Sequence, residues 1–183
     1  MATTIISAGW SVAHLTLGSV LTATNRAVHG IAEFERALVD RNLAEAHASI
    51  GFAKILIGRS AETEAHINDA FRLSPRDVSA YRWMMWMGFA KLHPGADIEA
   101  LGWFRRSIEA NRNIPLAHFS LAVGLAMLGS IDQAKSAARA GFELDPSFCL
   151  RRFRDSVASD NPTYLMGRER FYQGLRIAGV PDG

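Results

Sequence analysis

The chain repeats itself: residues 44–77 read AEAHASIGFAKILIGRSAETEAHINDAFRLSPRD, and residues 115–148 read PLAHFSLAVGLAMLGSIDQAKSAARAGFELDPSF. The two stretches align without a gap over about 34 residues. Both place a His, several small residues, a Gly and a closing Leu-x-Pro at the same positions. The matched pairs are His47 and His118, Gly51 and Ala122, Gly58 and Gly129, Ala70 and Gly141, and Pro75 and Pro146. A fixed period of this length is typical of helical repeats that stack side by side.

Two further stretches fit the same pattern with small departures. Residues 78–114 are three residues longer, with the extra length around residues 92–94, which predicts a longer first helix or a looped turn. Residues 11–43 are one residue shorter and carry Asn42 where the clear repeats have their closing proline. The sequence therefore predicts four repeats.

Each repeat predicts two helices joined by a turn, because apolar residues recur at i, i+3, i+4 and i+7. Gly58, Gly95 and Gly129 stand where the first helix of a repeat must stop. Pro75 and Pro146 follow the second helices, since proline lacks the amide hydrogen that would continue a helix. One such pair cannot bury its apolar face alone, so neighbouring repeats must cover each other.

The period, the small residues at fixed places and the closing proline resemble the tetratricopeptide repeat (TPR). The resemblance implies an all-α fold, a right-handed α-solenoid of about four helical hairpins with a C-terminal capping helix. It implies a single domain whose usual work is to hold other proteins. The predicted boundaries are residues 1–183 for the domain, residues 11–43, 44–77, 78–114 and 115–148 for the repeats, and residues 149–183 for the cap.

Composition and charge fit one globular domain and exclude several classes of function. Of the 183 residues, 49% are hydrophobic and 21% are charged, which is ordinary for a globular protein. The formal net charge of +2 is too small to indicate a nucleic-acid partner. The one cysteine, Cys149, leaves no internal disulfide to form, and we interpret it as a buried small residue.

Residues 5–23 contain no Asp, Glu, Lys or Arg. No basic residue precedes Arg26, which argues against a signal peptide. The polar Ser, Thr and His residues in the stretch argue against a membrane span. We therefore predict the first helix of a soluble, cytoplasmic repeat protein with no membrane partner. So few charges also suggest that an upstream repeat or a second copy of the chain covers this helix.

The repeat period stops after Cys149. Asn161 and Pro162 predict a break, and Thr163 is the predicted cap of a helix that runs to about Ala178. Apolar residues fall on one face of that helix, which predicts that it closes the last repeat. The residues on this face are Tyr164, Phe171, Leu175 and Ala178.

This tail resembles a more specific group of proteins. A Leu-Asp-Pro at residues 144–146 is followed by Arg-Phe-Arg-Asp at residues 152–155 and by Gly-Leu-Arg-Ile-Ala-Gly at residues 174–179. The order is similar to the C-terminal TPR region of bacterial regulators that also carry a class III adenylate/guanylate cyclase domain or a winged-helix domain. The resemblance implies a regulatory or interaction module. No catalytic residue of a cyclase can be placed in this chain.

The TPR resemblance also implies where a partner binds. In that family the first helices line a concave groove, and the matching positions here are unusually apolar. We expect a partner protein, an apolar or amphipathic segment, the chain's own tail or a second subunit to cover them. A chaperone C-terminal tail is not expected, because Ala48 and Phe52 replace the carboxylate clamp of chaperone-binding repeats. The predicted groove residues are Phe52, Ile55, Arg82, Trp86, Phe89, Phe119, Val123 and Met127.

No pattern in the sequence predicts catalysis, a cofactor or a metal. The phosphate-binding loop, the nucleophile elbow and the zinc-protease motif are absent. His14, His47 and His118 recur at one repeat position and are predicted to be structural. His29 and His66 have no ligand spacing, nor does His93. The arginines of residues 151–176 are offset by acidic residues, which favours a solvated face over a nucleic-acid site.

The leading hypothesis is a non-enzymatic module that binds a protein segment in its groove. One alternative is a regulatory or self-associating region that forms a homodimer. A third, nucleic-acid binding through the basic tail, has the least support.

Overall fold

The computed structural model describes residues 2–38 and 43–183, with side chains from residue 10 onward in the first helix. This part of the chain forms ten α-helices, one 3-10 turn at Ser60–Glu62 and no strand. The helices are α1 Ala2–Ala23, α2 Ala27–Ala37, α3 Ala44–Leu56, α4 Thr63–Leu73, α5 Ala80–Leu92, α6 Asp97–Ala110, α7 Pro115–Met127, α8 Ile131–Leu144, α9 Leu150–Asp155 and α10 Pro162–Ile177. The predicted all-α fold of helical hairpins is confirmed.

The hairpins are α1–α2, α3–α4, α5–α6 and α7–α8, and each corresponds to one predicted repeat. Helix α1 begins at Ala2, well before the predicted repeat start at Ser11. The boundary marked by Asn42 lies outside the described residues. No helix of the described chain is long and apolar enough to cross a bilayer.

The chain divides into two compact units. Unit 1 comprises Met1–Asp77 with Ala158–Tyr164, and unit 2 comprises Val78–Val157 with Leu165–Gly183. Each unit therefore contains two helical hairpins and part of the C-terminal segment. The prediction of one domain over residues 1–183 stays a prediction.

Small residues mark the places where the two helices of a hairpin cross. In unit 1 a Cβ atom on Gly18 would lie 2.6 Å from the ring of Phe34, which is itself buried. In unit 2 a Cβ on Gly88 would lie still closer to the Phe104 ring, and a Cβ on Gly141 would lie 2.8 Å from Phe119. A side chain at any of these glycines would force the helices apart, because close-packed interiors have no room for it.

The turn glycines end the first helices, as predicted. Gly58, Gly95 and Gly129 have φ angles of 77°, 89° and 76°, in the left-handed region that glycine adopts without strain. The prediction of a longer first helix in the third repeat is wrong, because α5 has 13 residues, as do α3 and α7. The extra residues lie mainly ahead of α5, which begins two residues into the repeat.

In unit 1, residues 159–161 of the C-terminal segment cap both the end of α3 and the start of α10. The Asn161 side-chain oxygen accepts hydrogen bonds from the amides of Thr163 (3.0 Å) and Tyr164 (3.2 Å). Its amide nitrogen donates to the Ile57 carbonyl at 3.2 Å. The Ser159 hydroxyl donates to the Leu56 carbonyl at 2.7 Å. One short segment thus satisfies orphan groups at the end of α3 and at the start of α10.

The predicted cap of α10, Thr163, is wrong by two residues. Helix α10 begins at Pro162, and Asn161 holds the capping position. Proline is well suited to the first helical position, where its missing amide hydrogen costs nothing. Asn is among the strongest N-capping residues, and it wins here because Pro162 fixes the helix start.

We expect Gly58→Ala to destabilise the protein more than Gly129→Ala. Both glycines have nearly the same positive φ, so both substitutions carry about 1–2 kcal/mol of backbone strain. At Gly58 the new Cβ would also lie 2.6 Å from the Asn161 side-chain oxygen, whereas nothing lies within 4 Å at Gly129. The additional loss of stability in Gly58→Ala, about 1 kcal/mol, corresponds to displacement of the Asn161 cap. Urea unfolding of both variants tests this, and equal losses would contradict it.

Candidate functional site

The predicted groove residues of unit 1 are Phe52 and Ile55, both on α3. Helix α3 is buried along most of its length, and Ile55 is only 1% exposed. Phe52 is half-buried and keeps part of its surface exposed. In this unit Phe52 is thus the member of the pair that a partner could touch.

In unit 2 the predicted residues Arg82 and Trp86 lie one turn apart on α5. The guanidinium carbon of Arg82 lies 5.3 Å from the centre of the Trp86 ring, a cation–π distance. Both side chains are half-buried. Stacking fixes the guanidinium over the indole, so this pair combines an apolar surface with a held positive charge.

The next predicted residue, Phe89, packs between two other rings. Its ring centre lies 5.7 Å from that of Phe104 and 5.7 Å from that of Phe171, with an edge-to-face geometry in both pairs. Phe104 belongs to α6 and Phe171 to α10. The C-terminal helix therefore lies directly on the face of α5 that carries Phe89.

Helix α7 carries the last three predicted residues. Phe119 and Val123 are fully buried, and Met127 is half-buried near the end of the helix. The ring of Phe119 stacks on Phe148 with centres 3.9 Å apart. A Cβ on Gly174 of α10 would lie 2.7 Å from Val123. The packing of α8 and Phe148 buries Phe119, and α10 lies against Val123, so neither residue presents a surface to a partner.

The chain's own tail thus covers part of the predicted groove in unit 2. The apolar face of α10 carries the buried residues Phe171 and Leu175, in agreement with the predicted pattern. A self-covering tail was one of the expected solutions to an apolar groove. Of the predicted residues in this unit, Arg82, Trp86, Phe89 and Met127 keep some exposed surface.

Polar contacts hold α10 in place within unit 2. The Arg170 guanidinium donates to both carboxylate oxygens of Asp97, at 2.7 and 3.0 Å. Asp97 opens α6, where the helix dipole favours a negative charge. Arg168 donates to the Tyr172 hydroxyl at 2.7 Å and stacks over the ring of Phe153 at 4.0 Å.

The arginines of the basic tail are engaged by the chain itself. Beyond Arg168 and Arg170, Arg152 contacts Asp145 at 3.2 Å and Arg176 contacts Glu169 at 3.3 Å. Arg151 donates to the Gly183 carbonyl at 2.6 Å. Such pairing reduces the positive charge that the tail offers to phosphate groups.

The recurring histidines contact groups of their own units. The His14 ring lies 2.6 Å from a carboxylate oxygen of Glu33, and that hydrogen bond, with help from Arg36, lowers the pKa of Glu33. The His118 ring lies 2.8 Å from the Arg112 carbonyl. His47 is 4.0 Å from Asp69, too far for a hydrogen bond. Within the described residues no three potential ligands are grouped to hold a metal.

The sequence did not predict two concavities of the structure. In unit 1 a cavity of about 570 Å³ is lined by residues 25–29, 56–57 and 159–162. In unit 2 a cleft of about 300 Å³ is lined by Leu116, Phe148 and Phe153, with Asp145 and Arg152 among its polar residues. A hydrogen bond from Ser147, and then Arg152, lowers the pKa of Asp145 and keeps it ionised. The helix pattern gives no signal for either concavity, because both form where loops meet helix ends.

Comparison with known proteins places the fold. No family model matches the chain, and no curated protein matches it. Among solved structures it is similar to TTC0263, a thermophilic TPR protein in Thermus thermophilus, at 19% identity and a TM-score of 0.65, with 91% of this chain and 90% of that one covered.

Two further solved structures agree with this assignment. YrrB, a TPR protein with an unusual peptide-binding site, matches at 23% identity and a TM-score of 0.58, over 90% of this chain and 82% of that one. MamA matches at 18% identity and a TM-score of 0.61, over 91% of each chain. The chain therefore has the fold of tetratricopeptide-repeat proteins.

Proposed function

We propose that the protein is a non-enzymatic interaction module that binds an apolar or amphipathic segment of another protein. The Arg82–Trp86 pair carries the proposal, because a half-buried aromatic ring beside a fixed cation suits a segment with both apolar and polar groups. Proteins of this fold serve as scaffolds, and the structural neighbour YrrB has a peptide-binding site.

Trp86 would supply most of the binding energy. Aromatic residues dominate interface hot spots, since they bury much apolar area at a low entropic cost. Arg82 would orient the segment, because its guanidinium, held over the Trp86 ring, sets a positive charge beside the apolar surface. Phe89 and Met127 would extend the apolar contact within unit 2.

The remaining predicted residues would act in two ways. Phe52 would contact a partner on unit 1, where its ring is half-buried. Three residues have no more than 1% of their surface exposed and would stabilise, by interior packing, the helices that carry the binding residues. They are Ile55, Phe119 and Val123. A chaperone tail remains excluded from the proposal, because Ala48 is fully buried and offers no carboxylate clamp.

Trp86→Ala should weaken peptide binding, and Trp103→Ala is its matched control. Trp103 also belongs to unit 2, is half-buried and carries a stacked arginine, Arg106, at 4.8 Å, but it lies outside the predicted groove. We expect Trp86→Ala to lose about 2 kcal/mol, roughly a 30-fold rise in Kd. The probe is an array of synthetic amphipathic helical peptides, with scrambled polar peptides as blanks.

The outcomes of this experiment are distinct. The proposal is supported if Trp86→Ala loses peptide binding while Trp103→Ala binds like the wild type. The proposal fails if no amphipathic peptide binds wild type above the blanks, or if both variants bind equally well. Circular dichroism of each variant checks that the helices persist.

A second candidate is a regulatory region of a cyclase-like or winged-helix regulator in the bacterial cytoplasm. The order of motifs in residues 144–179 favours it. Nucleic-acid binding through the tail has less support, since Arg152, Arg170 and Arg176 already contact carboxylates. Steeply salt-dependent binding of duplex DNA would revive that third candidate.

A further inference from the structure

Helix α1 presents an uncharged, apolar face to solvent. Trp10 is 65% exposed, Leu17 48% and Val20 55%. No Asp, Glu, Lys or Arg occurs anywhere in residues 2–25. Val28, at the start of α2, is 64% exposed and adds to the same unit's apolar surface.

Helix α1 is more exposed to solvent than its uncharged sequence would predict. Its inner face packs on α2, where Gly18 meets Phe34 and Gly30 meets Thr22. Among the described helices, α7 also lacks charged residues, and most of its residues are buried. A helix with apolar residues on its outer face as well as its inner face normally packs against a second partner. Helix α1 therefore has the sequence of a helix whose second face is also covered.

The exposed residues form a regular stripe. Five exposed residues follow one another at alternating steps of three and four: Trp10, Ala13, Leu17 and Val20 on α1, and Thr24 directly after it. This spacing is the seam along which two helices pack with knobs in holes. Spanning 14 residue steps, the stripe is about 21 Å long.

We propose that α1 pairs with α1 of a second copy of this chain about a two-fold axis. A two-fold axis sets a surface against itself, so any charge in that surface would meet its own sign. The stripe on α1 meets this condition, because it contains no Asp, Glu, Lys or Arg. The other uncharged helix, α7, is buried inside unit 2 and cannot serve as a partner.

The sizes of the side chains also suit an antiparallel pair centred near Leu17. The large Trp10 of one copy then falls near the small Thr24 of the other. The small Ala13 falls near Val20 in the same way. Antiparallel packing further sets the positive end of each helix dipole beside the negative end of its neighbour.

The size of the stripe sets the expected strength. A strip about 21 Å long and about 10 Å wide covers about 200 Å². This area is well below the roughly 800 Å² per partner of a standard interface. We therefore expect a weak, concentration-dependent dimer with a Kd of about 0.1 mM, or about −5.5 kcal/mol.

Leu17→Lys should break the dimer, and Leu128→Lys is the matched control. Leu128 lies after α7 in unit 2 and is 40% exposed, close to the 48% of Leu17. Sedimentation velocity of the full chain over a dilution series should give at least a tenfold rise in the dimer Kd for Leu17→Lys. Leu128→Lys should behave as wild type. Val20→Lys repeats the test if Leu17→Lys loses its helical circular dichroism.

Mixing opposite charges tests the two-fold geometry. The lysine and glutamate variants of position 17 should each be monomeric, and an equimolar mixture of Leu17→Lys with Leu17→Glu should recover the dimer. Recovery supports an axis near Leu17. The proposal is overturned if wild type stays monomeric at every concentration, if Leu17→Lys dimerises like wild type, or if the mixture stays monomeric.

Discussion

Replacing Phe104 with alanine should lower the free energy of unfolding by about 3–5 kcal/mol, the usual loss for a buried phenylalanine. Phe104 is fully buried in the core of unit 2 and packs against Phe89 at 5.7 Å between ring centres. This loss is a large part of the stability of an ordinary domain, about 5–15 kcal/mol. Chemical denaturation followed by circular dichroism measures it.

Gly88→Ala tests the same packing more stringently, because its effect on the free energy of unfolding should change sign when Phe104 is removed. In the wild type a Cβ at Gly88 would run into the Phe104 ring, so Gly88→Ala should cost about 1–3 kcal/mol. In the Phe104→Ala background the ring is gone, and Gly88→Ala should instead stabilise the helix by up to about 1 kcal/mol. A double-mutant cycle with no coupling between the two positions would contradict the packing described here.

Acid should destabilise unit 2 through His93. This ring lies against Gly167 of α10, and burial first, then the charges of Arg168 and Arg170, lower its pKa to about 4. The unfolded chain binds the proton with a pKa of about 6.5. Between these values the unfolded state holds more protons, so the stabilisation is complete above about pH 6.5 and is lost as the pH falls towards 4.

His93→Gln isolates this effect from the titration of other groups. From pH 7 to pH 4 the wild type should lose about 3 kcal/mol more stability than the variant. Urea unfolding at several pH values supplies the comparison. Parallel stability curves for the two proteins would show that His93 titrates alike in the folded and unfolded states.

The local features of the fold could be predicted from the sequence. The helical hairpins follow from the spacing of apolar residues. The turns at Gly58, Gly95 and Gly129 were predicted correctly, because a left-handed backbone conformation depends on the single residue that adopts it. The cap of α10 was missed by two residues. Asn161 and Thr163 both have capping side chains, and only the position of Pro162 in the first turn decides between them.

The covering of the groove could not be read from local pattern. The same apolar spacing serves an α10 that packs on the last hairpin alone and an α10 that also reaches α5. The choice depends on contacts between distant residues, such as Arg170 with Asp97 and Phe171 with Phe89. Phe119 and Val123 were therefore predicted from position in the repeat, without a signal for their burial.

The capping segment at residues 159–161 has a consequence for how the protein is made. Ser159 and Asn161 bind the carbonyls of Leu56 and Ile57 across 103 and 104 residues of chain. Closing so long a loop is slow compared with forming a hairpin. During translation the first two hairpins can collapse early, yet the end of α3 stays uncapped until Asn161 has left the ribosome. Completion of unit 1 thus waits for a segment synthesised after residues 78–157 of unit 2.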